Sequence, residues 1–544
     1  MIPINPQSLK IDGDRQTGDN VRVQNVRAAI AVANVVRSSL GPIGLDKMLV
    51  DDLGEVTITN DGATILKNLD IQHPAGKVLI QLSELQDREV GDGTTTVVLL
   101  AAELLRLGQE LIEQKVHANT IIAGYRRAGK LAVAYLKKHL AVANKGLDRD
   151  VLINVAKTTM SSKILNAYSD YFAGMIVDAC LAVKGTGDKC PSQRVNVVKS
   201  LGKSFPESTL IAGGLAINAT KAAEAMPRTV NDVKIAVLDF GLARTRLPMG
   251  VQFRLKDATK LNRIQNEEIN ECKKIVEAII NAGANVIITS KQIDEASLKP
   301  MIKAGIMGIR HVSDGEINAV ARCTGATVIK QVVDEEGNQK FDPAWLGRAK
   351  SVEQVPIGDN EMIVVRDGAA ENSASIVLRG PNTFALDEAN RTIRDALSAV
   401  KRVVESHHVV AGGGCVEAGL SVYLQKAATE VEGKEQVAML RFADALLVIP
   451  KILANNAALD SIEIVAKLRA AHYKAQEVPN GPQCFASIDL VNNCIRDGYK
   501  DGVLEPAMSK VKSIQFATEA AITILRIDDL IKLKPDKKPE QDQE

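Results

Sequence analysis

The chain has 544 residues, enough for roughly three or four domains of ordinary size. Apolar residues make up 46% of it and aromatic residues only 3%, so large cores can form with few aromatic side chains. The formal net charge of +1 argues against a broad nucleic-acid-binding surface and against a strongly anionic partner.

The seven cysteines form no C-x-x-C pair, and their odd number and wide spacing suit neither a disulfide framework nor a zinc site. We therefore expect buried free thiols in a reducing compartment. Residues 1–6 lack the basic and apolar regions of a secretion signal, and charged residues interrupt every long apolar run. These features predict a cytosolic protein without a membrane span.

The chain from Asp19 to about Lys145 has a mainly helical pattern. Apolar residues recur three and four positions apart between 23 and 33, which predicts a helix ending near Leu40-Gly41-Pro42. A hairpin interrupts the helical pattern, with strands expected at 48–50 and 56–59 and a turn at 51–54.

The stretch Gly91-Asp92-Gly93-Thr94-Thr95-Thr96 stands directly before an apolar helical segment, 97–111. The glycines allow a tight turn, and the first turn of a helix offers unpaired N–H groups and a dipole that favour an anion. Asp92 adds a hard oxygen that suits Mg²⁺ bound to phosphate. An ordinary capped helix is the alternative that this stretch alone leaves open.

Between Val233 and Gln331 short apolar strands alternate with helices, which predicts an α/β segment with a largely parallel sheet. The strands are expected at 235–238, 286–289 and 327–329, and the helices at 262–281 and 295–304.

One motif before this segment needs a separate test. Leu201-Gly202-Lys203-Ser204 has the ending of a phosphate-binding P-loop, but Val197 occupies the position of the first glycine. No G-x-G-x-x-G follows the predicted strands either. We therefore expect the α/β sheet to be a scaffold that binds no nucleotide.

Helical patterns return from about Arg391, so two helical flanks enclose the α/β segment and predict nested domains. Three features of the flanks have simple local explanations. Asp395 lies on a helical pattern where a lone carboxylate is usually solvated, Asp61 in Asn-Asp-Gly suits a turn, and Gly412-Gly413-Gly414 suits a plain loop. Residues 534–544 lack large apolar side chains and are expected to be disordered.

Taken together, the motifs and their spacing resemble the group II chaperonins of archaea and the eukaryotic cytosol, over about residues 19–532. The motifs that carry the resemblance are Ser38-Ser39-Leu40-Gly41-Pro42, Thr59-Asn60-Asp61-Gly62-Ala63-Thr64, Gly91 to Thr96, Asp395-Ala396-Leu397, Val409 to Gly414 and Gly502-Val503-Leu504-Glu505-Pro506.

The resemblance implies a multidomain α and α/β chaperonin fold. A mainly helical equatorial domain would take both chain ends, 1–149 and 404–544. A small intermediate domain would take 150–218 and 374–403. An α/β apical domain, 219–373, would bind substrate and carry a lid protrusion.

The resemblance also implies ATP and Mg²⁺ as cofactors and assigns roles to single residues. Asp92 would hold the Mg²⁺, while Asp61 and Asp395 would position the water that attacks the γ-phosphate. The residues implied to contact ATP are Leu40, Gly41, Pro42, Gly93, Thr94, Thr95, Thr96, Ser162, Lys163, Gly413, Gly414, Asp489, Glu505 and Lys510.

The implied activity is ATP-driven folding of unfolded proteins, actin and tubulin among them, inside a double ring of paralogous subunits. Neither nucleic acid nor membrane is an expected partner. One alternative is a soluble small-molecule kinase or ATPase, for which the sequence offers no acceptor-site motif. Another is an ATPase-inactive scaffold, which the presence of Asp61, Asp92 and Asp395 opposes.

Two residues depart from the family pattern near Asp395. Arg394 stands where the family often has His, and Asn390 stands where Glu is common before Arg391. The aspartate itself is present, so we expect the chemistry to persist with altered local hydrogen bonds. The adjacent His407 and His408 are interpreted as structural.

The segment 244–270 carries the lid prediction. About twenty residues separate Phe240 from the helix expected near Asn262, far more than an ordinary βα connection of roughly 2–6 residues. Apolar residues alternate between 247 and 255, which predicts a strand with one apolar face. We expect proteolysis here to be fast without nucleotide and strongly slowed by ATP with a transition-state mimic of phosphate, and equal cleavage in both states would contradict the lid.

Overall fold

The structure is a computed structural model, and it describes residues 13–144, 148–184, 189–243, 272–332, 341–357, 360–370, 372–477 and 483–533. The chain divides into two compact units. One combines Met1–Lys163 with Ser406–Glu544, and the other is Ile164–Glu405. The predicted lid segment 244–270 and the predicted disordered tail 534–544 lie outside the described residues.

The helices are numbered along the chain. They are α1 (Asp19–Arg37), α2 (Gly62–Lys67), α3 (Pro74–Glu89), α4 (Thr94–Glu113), α5 (Ala118–Tyr135), α6 (Arg149–Met160), α7 (Ser169–Lys184), α8 (272–281), α9 (Glu295–Lys303), α10 (Asp314–Thr324), α11 (Thr383–Ser406), α12 (Cys415–Thr429), α13 (Glu435–Leu446), α14 (Val448–Asn456), α15 (Ser461–Glu477) and α16 (Ala507–Leu525).

The strands are numbered in the same way. They are β1 (Gly13–Thr17), β2 (Lys47–Val50), β3 (Val56–Thr59), β4 (Val142–Ala143), β5 (Val195–Leu201), β6 (Thr209–Ala212), β7 (Gly214–Ile217), β8 (Thr229–Leu238), β9 (Val286–Thr289), β10 (Met307–Ile309), β11 (Val328–Ile329), β12 (Gly347–Ile357), β13 (Asn360–Gly368), β14 (Ala374–Gly380), β15 (His408–Ala411), β16 (Ala486–Asp489), β17 (Cys494–Asp497), β18 (Leu504–Pro506) and β19 (Asp529–Leu533).

Helix α4 forms the centre of the first unit. It packs against α1, α3, α13 and α16, and every side chain from Val97 to Ala102 is buried. The stretch 97–102 is apolar on all sides of the helix and needs such complete cover, which favours this central place. The glycine loop that precedes α4 is therefore attached to a deeply buried helix of the unit.

Small sheets complete the first unit. Strands β2 and β3 form the predicted antiparallel hairpin, and β1 pairs with β19 so that the two ends of the described chain meet. Strand β15 lies between β18 and β4, which brings the chain after Ser406 against the chain after α5.

The second unit contains a sheet in the order β10-β9-β8-β12-β13-β7, with β11 also paired to β8. The pairs among β8, β9, β10 and β11 are parallel, which confirms the strands predicted between 233 and 331. The pairs from β8 through β12 and β13 to β7 are antiparallel. The part of the sheet built from the predicted strands is parallel as expected, and the whole sheet is mixed because β12, β13 and β7, from outside that segment, extend its other side.

A second sheet, in the order β5-β14-β6, lies in the same unit. Gly202-Lys203-Ser204 follows β5 and leads into a short 3₁₀ turn at Phe205–Glu207. A P-loop needs a long helix at that point, because its phosphate binds the helix N-terminus. The local structure at this motif is therefore not that of a P-loop.

Other predictions can be compared directly. All seven cysteines are free, and five of them are buried as expected, while Cys484 and Cys494 are partly exposed. Residues 272–281 form the second half of the helix expected at 262–281, and α11 begins at Thr383, earlier than the expected 391. Within the described residues, no helix combines the length and hydrophobicity that a membrane crossing requires.

Candidate functional site

The loop between α3 and α4 has the backbone that its glycines predict. Gly91 and Gly93 both have φ of 77°, a left-handed conformation that favours glycine. Gly93 is the N-cap residue of α4, and it has no side chain with which to cap the first turn. The N-terminus of a 20-residue helix is therefore left able to bind an anion through its N–H groups.

Asp92 has one occupied and one available carboxylate oxygen. Its Oδ1 accepts a hydrogen bond of 2.7 Å from the Gly93 N–H, whereas Oδ2 has no partner among the described residues. The described residues contain no cluster of three metal-ligating side chains. Magnesium on a nucleotide is typically held by one or two carboxylates plus phosphate oxygens, so a single Asp92 oxygen beside a helix N-terminus fits that ion.

Asp61 is the N-cap residue of α2, and donors surround its carboxylate. Oδ2 accepts bonds from Thr64 N–H at 2.9 Å and Thr64 Oγ1 at 2.7 Å. Oδ1 accepts weaker bonds from Ala63 N–H at 3.3 Å and Thr94 Oγ1 at 3.2 Å. The turn role that Asn-Asp-Gly suggests is therefore present.

Burial acts to raise the pKa of Asp61, but the Lys163 charge and the hydrogen bonds from Thr64 and Ala63 outweigh it. They hold the pKa of this carboxyl below its ordinary value. Asp61 is consequently ionised at neutral pH, as a residue that orients water must be.

The Asp61 turn and the Gly93 loop are in direct contact. The Thr94 hydroxyl joins α4 to Asp61. A Cβ on Gly62 would lie 2.4 Å from Thr95 Oγ1, so only glycine allows the two turns to approach this closely. Four of the predicted site residues, Asp61, Gly93, Thr94 and Thr95, are thus brought together.

The residues after α6 lie beside this pair of turns. Asn60 Nδ2 donates to the Ser162 carbonyl at 3.4 Å and to Asp46 Oδ1 at 3.2 Å. The Lys163 charge acts on Asp61, as its pKa shows. Ser162 therefore contacts the residue before Asp61, and Lys163 is close enough for its charge to lower the pKa of that carboxyl.

The turn at Leu40-Gly41-Pro42 is fixed by α14. Asn456 Nδ2 donates to the carbonyls of Leu40 at 2.8 Å and Arg37 at 3.0 Å. Gly41 has φ of 92°, and a Cβ there would lie 2.5 Å from Leu453 Cδ2. This glycine is needed for close packing on α14, whatever ligand the turn binds.

The glycines before α12 form a second group of predicted residues. Gly413 accepts a bond from Ile488 N–H at 3.0 Å, next to Asp489. A Cβ on Gly412 would lie 2.7 Å from Glu505 Oε1. Gly413, Gly414, Asp489 and Glu505 therefore share one corner of the unit.

A buried ion triad backs this corner. Lys510 Nζ lies 2.9 Å from Glu417 Oε1 and 2.8 Å from Glu505 Oε2, which ties α16 to α12 and β18. Burial raises the pKa of Glu505; Lys510 opposes the rise, and the charges of Glu417 and Asp92 add to it. Burial would lower the pKa of Lys510, but the two carboxylates raise it above its usual range. Lys510 is thus committed to Glu417 and Glu505.

Asp489 is used by its own hairpin. Its carboxylate accepts bonds from the N–H groups of Val491 and Asn492 and from Asn492 Nδ2, and it pairs with Arg496 at 3.1 Å. These contacts, led by the Asn492 side chain, lower its pKa. The structure thus places Asp489 near Gly413 with its carboxylate already engaged.

Asp395 lies on α11 of the second unit and is half-buried. The two departures from the family pattern contact each other, because Arg394 Nε donates to Asn390 Oδ1 at 3.4 Å. Arg394 and Asn390 therefore form a hydrogen bond across one turn of α11, the helix that also carries Asp395.

Sequence reasoning missed several residues of the site. Glu417 forms an ion pair with Lys510 in addition to the pair that Lys510 forms with Glu505. Thr64 donates two hydrogen bonds to Asp61. Gln86 donates from Nε2 to the Asp92 carbonyl at 2.8 Å. Partial burial raises the pKa of Asp87, and the negative charge of Asp61 adds to it. A polar residue on an apolar helix face is the signal that could have revealed Gln86.

Comparison with known proteins gives a consistent picture. Residues 32–535 match the model of the TCP-1/cpn60 chaperonin family. T-complex protein 1 subunit alpha of Arabidopsis thaliana is 49% identical over 540 residues, 98% of this chain and 99% of that protein. The subunit alpha of Dictyostelium discoideum is 47% identical over 532 residues, 97% of each chain.

More distant relatives are archaeal. Thermosome subunit alpha of Aeropyrum pernix is 37% identical over 533 residues, 96% of this chain and 93% of that protein. Within the resemblance, residues 45–52 and 72–77 point to the alpha subunit of the eukaryotic complex, the t-complex polypeptide ring complex. The names of the two more similar relatives confirm that prediction.

Proposed function

The chain belongs to the TCP-1/cpn60 chaperonin family and is a group II chaperonin subunit, and we propose that it hydrolyses Mg-ATP to drive protein folding in a ring chamber. The observation that carries the proposal is the hydrogen bond from Thr94 Oγ1 to Asp61 Oδ1. It sets a carboxylate able to orient water beside a helix N-terminus able to bind phosphate.

Hydrolysis of a phosphoanhydride needs charge neutralised and a water held in line, with little covalent work by the protein. The N–H groups and hydroxyls of Thr94, Thr95 and Thr96 bind the phosphates, and the loop glycines let the backbone approach them. Asp92 would hold the Mg²⁺, and the ion would supply charge neutralisation there.

Asp61 has four donors around it, so water needs one of these places. The Thr94 hydroxyl is the natural one to leave, because its bond of 3.2 Å is long and a hydroxyl rotates easily. In this mechanism Thr94 turns toward the nucleotide and frees Asp61 Oδ1 for the attacking water. Thr64 keeps the rest of the carboxylate fixed.

Asp395 is the second proposed water-orienting carboxylate, and it belongs to the other compact unit. The resemblance implies that the intermediate domain, which would carry Asp395, swings down when ATP is bound. Hydrolysis is thereby coupled to a domain movement, which is how nucleotide would drive ring closure. The domain boundaries proposed are those that the resemblance implies, with the equatorial domain at 1–149 and 404–544.

Gly413 and Gly414 are proposed to border the ribose and adenine, together with Glu505. Lys510 acts through Glu505, since its ammonium is held by Glu505 and Glu417. Ser162 and Lys163 respond to the γ-phosphate through their position beside Asp61. Leu40, Gly41 and Pro42 line the phosphates from the α14 side.

Paralogous subunits are the proposed partners, in a cytosolic double ring that encloses unfolded proteins. The β2–β3 hairpin supports subunit contacts, since its apolar side chains face solvent: Met48 is 66% exposed and Leu53 is 88% exposed. An exposed apolar surface of this kind is typical of an interaction site.

Native purification tests the function. We expect a megadalton-scale particle that contains this chain with paralogous subunits and that refolds a denatured protein only when ATP is hydrolysed. A monomer that transfers phosphate to a small acceptor would contradict the proposal and favour the kinase alternative.

A further inference from the structure

Gln86 sits at the end of α3, completely buried, and it holds three consecutive residues of the loop before α4. Its main-chain carbonyl accepts the N–H groups of Val90 at 2.9 Å and Gly91 at 3.3 Å. Its side-chain Nε2 donates to the Asp92 carbonyl at 2.8 Å. One side chain thus sets the direction of the Asp92 peptide.

The next residue is clamped as well. A Cβ on Gly93 would lie 3.1 Å from Ser513 Oγ, 3.2 Å from Ser509 Oγ and 3.4 Å from Gln86 Nε2. On the far side of Gly93, Ser83 Oγ donates to the Thr94 carbonyl at 3.4 Å. Polar groups of α3 and α16 therefore surround the glycine that begins α4.

A buried glutamine at position 86 lowers the stability of the fold if its only role is to fill the core. It continues the buried face of α3 formed by Leu79, Leu82 and Ser83, where an apolar residue would fit. Its Oε1 is buried without a partner among the described residues, as is Ser513 Oγ. A buried polar atom without a partner opposes stability, so the amide must be retained for its bond to Asp92.

The direction of the Asp92 peptide decides where its carboxylate points. Oδ1 is fixed by the Gly93 N–H, so the free Oδ2 follows the backbone of both residues. We propose that Gln86 is a positioning residue, which aims Asp92 Oδ2 at the nucleotide-bound metal by holding the Asp92 carbonyl. This inference rests on the proposed Mg-ATP site.

The test uses Gln86→Met, which has nearly the same volume and lacks the donor. Photo-crosslinking of 8-azido-ATP to this chain, identified by its mass in the native complex, is measured against Mg²⁺ concentration. We expect the Mg²⁺ needed for half-maximal crosslinking to rise about tenfold, with crosslinking in EDTA within about twofold of the parent. The thermal midpoint of the complex should change little, because the variant loses the bond to the Asp92 carbonyl but also removes an unpartnered buried oxygen.

Gln109→Met is the matched control. Gln109 is also buried, also has an unpartnered Oε1, and donates to Glu113 on its own helix, away from the loop. It should leave the Mg²⁺ dependence unchanged. Gln86→Asn, whose amide is one methylene too short to reach Asp92, should behave like Gln86→Met and serves if the Met variant fails to assemble.

An unchanged Mg²⁺ dependence in the Gln86 variants would overturn the positioning role. Equal losses with and without Mg²⁺, together with a lower thermal midpoint, would also overturn it in favour of a structural role. If the parent complex shows no Mg²⁺-dependent crosslinking at all, the proposed function fails instead, so the two failures are distinguishable.

Discussion

Replacing Asp61 by Asn should lower ATP hydrolysis by about 10²–10⁴-fold, the usual range for a lost acid–base or water-orienting group, while ATP remains bound. Asn caps a helix about as well as Asp, so α2 should keep its N-terminal bonds to Ala63 and Thr64. The amide, however, carries no charge and gives up one acceptor oxygen. The loss should therefore appear in turnover rather than in nucleotide affinity.

The measurement is single-turnover hydrolysis in a ring whose other subunits have no ATPase activity, since active neighbours would mask the effect. Asp70→Asn is a matched control, because Asp70 is exposed in the same unit and accepts a bond from Gln72 Nε2. Hydrolysis by the Asp61 variant at the parental rate would remove Asp61 from the mechanism.

Asp395→Asn should give the same phenotype from the second unit. Asp387→Asn is its control on α11, because Asp387 pairs at the surface with Lys199. Because ring closure is proposed to depend on hydrolysis, the Asp395 variant should also fail to close the ring under hydrolysing conditions. A variant that closes and hydrolyses normally would leave Asp61 as the single water-orienting carboxylate.

The local elements of the site could be read from the sequence because each has a local cause. The hairpin at β2 and β3 follows from alternation around a turn, and α4 follows from an apolar run after a glycine pair. The turn at Asp61 follows from Asn-Asp-Gly, and the structure shows that this turn is the N-cap of α2. In the structure the Asp61 carboxylate both caps α2 and contacts Thr94. A role in the turn and a proposed role in the site are therefore compatible.

What the sequence did not reveal are pairings between distant segments. Glu417 and Lys510 are 93 residues apart, and no local pattern links a buried ammonium to its partner. The same limit explains the sheet of the second unit, where periodicity identifies β8 and β9 but says nothing about β12 lying on the other side of β8. Asp489 is a different case. The resemblance to the family implies that its carboxylate contacts the nucleotide, but in the structure this carboxylate accepts hydrogen bonds within its own turn.

The prediction for Asp92 separates metal binding from catalysis. Asp92→Ala should weaken Mg-ATP binding itself by at least about tenfold, or ~1.4 kcal/mol, because Oδ2 is the carboxylate oxygen available to the ion at the start of α4. Binding of ATP in EDTA should change little, since the α4 N–H groups and the threonine hydroxyls remain. Loss of the carboxylate also removes the acceptor of the Gly93 N–H, so a small loss of loop order is expected alongside.

Nucleotide occupancy of this chain at limiting Mg²⁺, measured in the ring whose other subunits have no ATPase activity, decides between the two roles, with Asp70→Ala as the control. An effect on hydrolysis with unchanged occupancy at every Mg²⁺ concentration would move Asp92 out of the metal shell and into the chemistry beside Asp61. The expected result is the reverse: reduced occupancy that high Mg²⁺ restores, with hydrolysis recovering in proportion. The negative charge of Asp92 also contributes to the raised pKa of Glu505, so the Ala variant should lower that pKa. The proposed metal site is thereby coupled electrostatically to the group of residues around Gly413.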